Sequence, residues 1–219
     1  MIDLHTHTFL SDGVLLPSEL ARRAQVMGYR CLGLADHVDS SNIDWVVPRL
    51  HRLAADLNSH MALQVIPGAE LTHVPPALFP KLTRRARELG AAYVVAHGES
   101  LVEPVAPGTN RAAIEAGVDI LAHPGLIRPE EVQSAARQGV LLEISTRRGH
   151  SLTNGHVART AKAEGAGLVI NTDAHGPEDL VDEHFARQVV LGAGLSEQDF
   201  LDMQALAQRL AIRCNAIMV

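Results

Sequence analysis

Short apolar runs alternate with segments of helical periodicity along the whole chain, a pattern that predicts a parallel sheet joined by crossover helices. The first run starts at Ile2 and reaches His7; others cover residues 31–35, 63–69, 92–96, 119–122, 140–144 and 167–171. Between them lie the predicted helices. One runs from Leu16 to about Gly28, with Pro17 suiting its first turn and Gly28 its end. A second is expected to begin at Pro48, because Leu50, Leu53, Ala54 and Leu57 then follow helical spacing. Further helices are predicted over 81–89, around 111–116, from Pro129, over 153–164, over about 178–191 and over 197–213. Ser196 and Asp199 resemble a capping box before the last of these. Seven strands in strict alternation with helices favour a (β/α) barrel over an open sheet. No repeat, low-complexity tract or linker interrupts the pattern, so residues 1–219 read as one barrel domain.

Composition changes this picture little, with two exceptions. At 219 residues, 47% hydrophobic and 20% charged, the chain is of ordinary globular type, with room for a sizeable core. Aromatics are only 3%, so that core must be Leu, Val, Ile and Ala. The net charge of −6 disfavours a broad electrostatic grip on nucleic acid and leaves room only for a local basic pocket. Cys31 and Cys214 stand far apart with no C-x-x-C spacing and read as free, buried thiols in a reducing compartment. Neither a charged leader backed by an apolar stretch nor an apolar run of ~18 residues is present, so no membrane span and a cytoplasmic location are expected. The second exception is the twelve histidines.

Their placement carries the chemistry. Residues i and i+2 of a strand share a face, so His5 and His7 can reach one point. Taken alone, a His-x-His pair could be two exposed strand-end side chains. Here five later runs also finish in candidate ligands: His37, Glu70, His97, His123, then Asp173 and His175. In a parallel barrel the carboxyl ends of all strands lie at one mouth, where these residues can converge with Asp12 from the first loop. Nine nitrogen and oxygen donors suit two or three divalent Zn, Mn or Fe ions and argue against Ca or Mg. Three such ions against Asp12, Glu70 and Asp173 leave about three positive charges, which a hydroxide and a phosphate dianion would cancel. The electrostatics therefore point to phosphate-ester hydrolysis with metal-bound hydroxide as nucleophile. Arg147 or Arg148, after the sixth strand, could clamp a phosphate, and His73 could line the pocket; each could equally be a solvated loop residue. Glu99 and His150 stand similarly, and Asp36 could orient a ligand histidine or cap a turn.

The set His5-Thr6-His7, Ser11-Asp12-Gly13, Asp36-His37, Gly68-Ala69-Glu70, His97, Ala122-His123-Pro124 and Asp173-Ala174-His175 resembles the PHP (polymerase and histidinol phosphatase) superfamily from residue 2 to about 190. The resemblance implies a distorted (β/α)7 barrel with a trinuclear centre. It would place His5, His7, Glu70 and Asp173 on one ion. Glu70, His97 and His123 would hold a second, with Glu70 bridging, and Asp12, His37 and His175 the third. Glu70, Asp173 and His175 are then the expected catalytic residues. Some relatives have His where Asp12 stands, which changes the charge. The short chain looks most like the histidinol-phosphatase type, so the expected partner is a small phosphomonoester, with no membrane and no nucleic acid. The alternatives are a phosphodiesterase acting on nucleotides or oligonucleotides at the same centre, an amidohydrolase-like barrel, and a non-catalytic PHP binding module.

Overall fold

Seven parallel staves form a nearly closed barrel in the computed structural model, which describes residues 1–218. In chain order the strands are β1 (Ile2–Thr6), β2 (Cys31–Leu34), β3 (His37–Val38), β4 (Gln64–Leu71), β5 (Tyr93–His97), β6 (Ile120–Ala122), β7 (Leu141–Ser145) and β8 (Leu168–Asn171). The sheet order is β1-β2-β4-β5-β6-β7-β8, all parallel. The short β3 continues β2: Leu34 faces Pro67 and His37 faces Glu70, so the register against β4 is kept across the break at Ala35 and Asp36. Closure between β8 and β1 is irregular. A bridge joins Thr6 to Ala174 at the mouth, with His7 N donating to the Ala174 carbonyl and Asp173 N to the His5 carbonyl, each at 2.8 Å. Deeper in, side chains replace the backbone ladder: Leu4 N donates to Asn171 Oδ1, and the buried Asp3 carboxylate accepts from the Thr172 hydroxyl at 2.6 Å. The expected distorted (β/α)7 barrel is the observed fold.

The helices are α1 (Pro17–Val26), α2 (Ile43–Asn58), α3 (Phe79–Glu88), α4 (Thr109–Glu115), α5 (Pro129–Gln138), α6 (Asn154–Glu164), α7 (Glu183–Gly192) and α8 (Glu197–Met218). Strand alternation divides the apolar residues into two cores. Leu32, Leu34, Val65, Leu71, Val94, Leu121, Leu142 and Ile170 point outward under the helices. Cys31, Ile66, Tyr93, Val95, Ile120 and Val169 fill the barrel, which α8 plugs with Ala207, Leu210, Ala211 and Cys214. Tyr93 supplies the bulk that small residues do not: its hydroxyl donates to the Leu4 carbonyl at 2.8 Å. Gly33 and Gly68 make room for it; a Cβ at Gly68 would lie 2.5 Å from the Tyr93 ring, and one at Gly33 would collide with its hydroxyl. Each fully buried aliphatic side chain contributes about 1.5–3 kcal/mol, which is how an aromatic-poor core suffices. Cys31 and Cys214 are free and buried.

Two helix starts differ from the sequence expectation. Helix α2 begins at Ile43 and carries Pro48 inside it. Burial of Ile43, Val46 and Val47 on the sheet outweighs the backbone hydrogen bond that Pro48 cannot make. Helix α7 begins at Glu183, because the preceding segment is held as a turn: Asp179 Oδ2 accepts from the backbone of His175 and Gly176, and Asp182 caps Phe185 N at 2.8 Å. The Ser196–Asp199 pair is reciprocal as expected. No helix among the described residues is long and apolar enough to cross a membrane.

Candidate metal centre

All nine expected donors lie at the carboxyl end of the barrel. His5 and His7 come from the end of β1, His37 from β3, Glu70 from β4, His97 from β5, and His123 follows β6. Asp173 and His175 follow β8, while Asp12 reaches in from the loop before α1. Glu70 is fully buried at the centre: His37 Nδ1 lies 2.5 Å and His7 Nε2 3.7 Å from its Oε2, and His5 Nε2 3.3 Å and His123 Nε2 3.9 Å from its Oε1. Asp173 Oδ1 lies 3.1 Å from His7 Nε2 and 3.7 Å from His5 Nε2. Asp12 closes the outer side, 3.3 Å from His175 Nε2 and 3.6 Å from His37 Nε2. Donor atoms of His7, Asp12, His37 and His175 fall within 4.8 Å of one another, as do those of His5, His7 and Asp173, and those of His97, His123 and His150.

The backbone is bent to make this convergence. His123 and Asp173 have φ of +27° and +53°, a region that costs non-glycine residues about 1–3 kcal/mol each and persists only where the surroundings impose it. Polar satisfaction is also withheld here. Among the described residues nine buried side-chain nitrogen or oxygen atoms lack a hydrogen-bond partner, and seven belong to this cluster: one each from His5, Glu70 and Glu143, and both ring nitrogens of His7 and His123. Buried polar atoms are ordinarily paired, so unpaired nitrogens and oxygens gathered in one mouth suit a metal-binding donor set. The residues therefore fit divalent transition-metal ions.

Electrostatics point the same way at His7 and His123. Burial together with His37 holds His7 well below its ordinary pKa, and burial with His97 and His150 does the same to His123, so both present neutral lone pairs. Burial pushes the Asp173 carboxyl up to about 7. Burial would also raise Glu70, but His5 and His37 hold it well below the usual carboxylate range. His5 is driven down by burial yet held well above its ordinary value by Glu143, Glu70 and Asp173.

Glu143 is the functional residue that the sequence reading missed. It is fully buried, its Oε2 lies 2.7 Å from His5 Nδ1, and the same oxygen accepts from Asn171 Nδ2 at 2.9 Å. This fixes the His5 ring so that Nε2 faces Glu70 and Asp173, the arrangement by which an outer carboxylate orients a metal-binding imidazole. An acid in mid-strand, flanked by Leu142 and Ile144, was the available signal. Glu103, between β5 and α4, was missed as well; it touches His73, His97 and His150.

The remaining candidates divide. Asp36 caps a turn: its carboxylate accepts from Thr8 N at 2.9 Å and from the hydroxyls of Thr8 and Ser11, holding the loop that carries Asp12. Glu99 caps α4, accepting from Gly108 N and Asn110 N. Arg147 is half-buried behind the last ligand loop: Nη1 donates to the Asp173 carbonyl at 2.8 Å, and Nε lies 3.6 Å from Asp173 Oδ2. Arg148 is exposed and, with Arg147, Asp179, Asp182 and Phe185, lines an adjoining cavity of about 800 Å³. His73 is exposed at the rim, 3.0 Å from Glu103 Oε2.

No family model matches the sequence. The uncharacterized protein MJ1295 of Methanocaldococcus jannaschii is 46% identical over 199 residues, which cover 90% of this chain and 91% of that one. The chain belongs to the MJ1295 family. A partial relative is the 5'-3' exoribonuclease Rnm of Salmonella typhimurium, 38% identical over 72 residues, 33% of this chain and 22% of the enzyme. Among solved structures, a chain of an archaeal ribonuclease P with mature tRNA superposes with a TM-score of 0.74 at 17% identity, covering 98% of this chain and 92% of that one. Histidinol phosphate phosphatase of Lactococcus lactis, complexed with Zn, L-histidinol and phosphate, gives 0.62 at 16% identity, with coverage of 89% and 94%. At these identities the two structures establish a shared fold.

Proposed function

We propose that this member of the MJ1295 family is a metal-dependent phosphoesterase of the PHP type, acting on a small phosphomonoester such as histidinol phosphate. The observation that carries the reading is the convergence of nine nitrogen and oxygen donors on one mouth, with seven orphaned buried atoms in that mouth. Two or three divalent ions, when bound, supply Lewis-acid stabilisation of a phosphoryl oxygen and an activated water. The residues do the rest. Glu70, touching donors on both sides, would bridge two of the ions. Asp173 and His175 hold the edge nearest Arg147. Arg147 orients the Asp173–His175 loop through the Asp173 carbonyl, and with Arg148 it lines the adjoining cavity, where a guanidinium could take a phosphate. No serine or cysteine nucleophile is needed; the phosphate goes to water.

The exoribonuclease relative favours a second reading, hydrolysis of a phosphodiester at an oligonucleotide end by the same centre. The net charge of −6 weighs against it, because long nucleic acid is held by many phosphate neutralisations. A panel of phosphomonoesters and a short single-stranded oligonucleotide, assayed on metal-loaded protein, separates the two. Faster turnover of a monoester at equal concentration is expected; a better rate on the oligonucleotide replaces the first reading with the second.

A further inference from the structure

Beyond the nine expected donors, the mouth holds a group centred on His150 and Glu103. His150 is 4% exposed and stacks on His123, with ring centroids 3.9 Å apart and planes at 15°. Its Nδ1 is hydrogen-bonded to Ser100 Oγ at 2.7 Å, which leaves Nε2 facing the mouth, 3.4 Å from Glu103 Oε1 and 3.7 Å from Asp173 Oδ2. His97 is arranged alike. Its Nδ1 lies 3.1 Å from the Gly98 carbonyl, which can only accept, so Nδ1 carries the proton and Nε2 offers a lone pair. That lone pair lies 3.1 Å from Glu103 Oε2. An imidazole nitrogen and a carboxylate oxygen approach this closely with either a metal ion or a second ring proton between them. His123, 2% exposed and with no hydrogen bond at either ring nitrogen, brings a third imidazole donor within 4.8 Å of the other two.

Glu103 is not a dangling side chain. Its loop is tied on one side by Glu99 to the start of α4, and Asn110 answers by bonding Glu99 N and the Pro124 carbonyl. On the other side Ser100 holds His150, and Val102 packs against Gly149. The separations of 3.1 and 3.4 Å, one to each oxygen of the same carboxylate, are close to the about 3.3–3.6 Å between ligand atoms that sit at about 2.0–2.2 Å from a tetrahedrally coordinated ion.

We propose that His150 and Glu103 are metal ligands, added to His97 and His123 on one ion. His73, 3.0 Å from Glu103, braces the carboxylate from the rim. The assignment rests on the metal-centre reading and is independent of which phosphate ester, if any, is cleaved.

Cobalt(II) is the probe. Metal-free protein is titrated with it, followed by visible d–d absorption and by elemental analysis after gel filtration, for the parent, His150→Gln, Glu103→Gln and Ser100→Ala. His60→Ala, at an exposed histidine, is the control. His150→Gln and Glu103→Gln are each expected to weaken one ion by more than about 100-fold and to change its d–d band, whereas Ser100→Ala stays within the about 10–100-fold typical of an outer partner. Circular dichroism reports folding; should His150→Gln fail to fold, Glu103→Gln on its surface loop decides. Full stoichiometry and unchanged affinity in the His150 and Glu103 variants overturn the assignment and leave an ordinary histidinium–carboxylate contact. A parent protein that takes up no cobalt overturns the metal-centre reading itself. A parent that binds metal but cleaves no ester refutes only the phosphoesterase function.

Discussion

Replacing Glu143 tests whether an outer carboxylate sets the strength of the centre. In Glu143→Gln the side chain keeps its volume, and its amide oxygen can still accept from His5 Nδ1 and Asn171 Nδ2, which now lie 2.7 and 2.9 Å from Oε2. What is lost is the negative charge behind a fully buried imidazole, and with it the basicity of His5 Nε2 toward a cation. Removal of such a partner costs about 10–100-fold in metal affinity, or about 1.4–2.7 kcal/mol. Glu143→Leu goes further. It leaves the Asn171 amide and the His5 ring without an acceptor inside the barrel, at about 1–3 kcal/mol of stability for each orphaned donor. Competition with a zinc chelator measures the first quantity, and denaturant unfolding of the metal-free protein measures the second. The Gln variant is expected to bind zinc 10–100-fold more weakly with the fold retained, and the Leu variant to lose both affinity and stability. Unchanged zinc affinity in both variants refutes the reasoning, since His5 would then need no orientation from behind.

Three further outcomes are expected. Glu70→Ala should release more metal than His37→Ala, because Glu70 touches donors of both sides whereas His37 serves one; equal losses by elemental analysis count against a bridging role. Arg147→Ala should raise KM or lower turnover on a phosphomonoester through loss of about 1.5–3 kcal/mol of charge-assisted bonding, with metal content measured alongside because Arg147 also holds the Asp173–His175 loop; an unchanged steady-state profile leaves phosphate binding to the ions alone. Gly33→Ala should cost about 1–3 kcal/mol by driving a Cβ into the Tyr93 hydroxyl, and Tyr93→Phe in the same chain should recover part of it; additive losses in a denaturant double-mutant cycle deny that contact.

The sequence by itself determined the barrel and the mouth. Short apolar runs in alternation with helical segments leave a parallel closed sheet as the economical packing, and a parallel sheet puts every strand end on one side. That is why His5, His7, His37, Glu70, His97, His123, Asp173 and His175 could be expected together although 170 residues separate the first from the last. Helix starts were less legible where tertiary burial overrode local signals, as at Pro48 inside α2, or where a side chain tied the backbone into a turn, as Asp179 does before α7. The rest was decided only in three dimensions. Glu143 sits in an apolar strand, and nothing local tells whether its face points into the barrel or into solvent until closure does so. Glu103 lies in an irregular loop and His150 at the start of a single 3-10 turn, neither with a period to read, and they meet because Glu99 pins the first loop to α4 and Ser100 binds His150. Asp36, beside a ligand histidine in sequence, turns its carboxylate instead to Thr8 and Ser11. Strand ends are set by periodicity, a one-dimensional property; the partners behind and between the donors are set by the direction of each side chain, which only the closed barrel fixes.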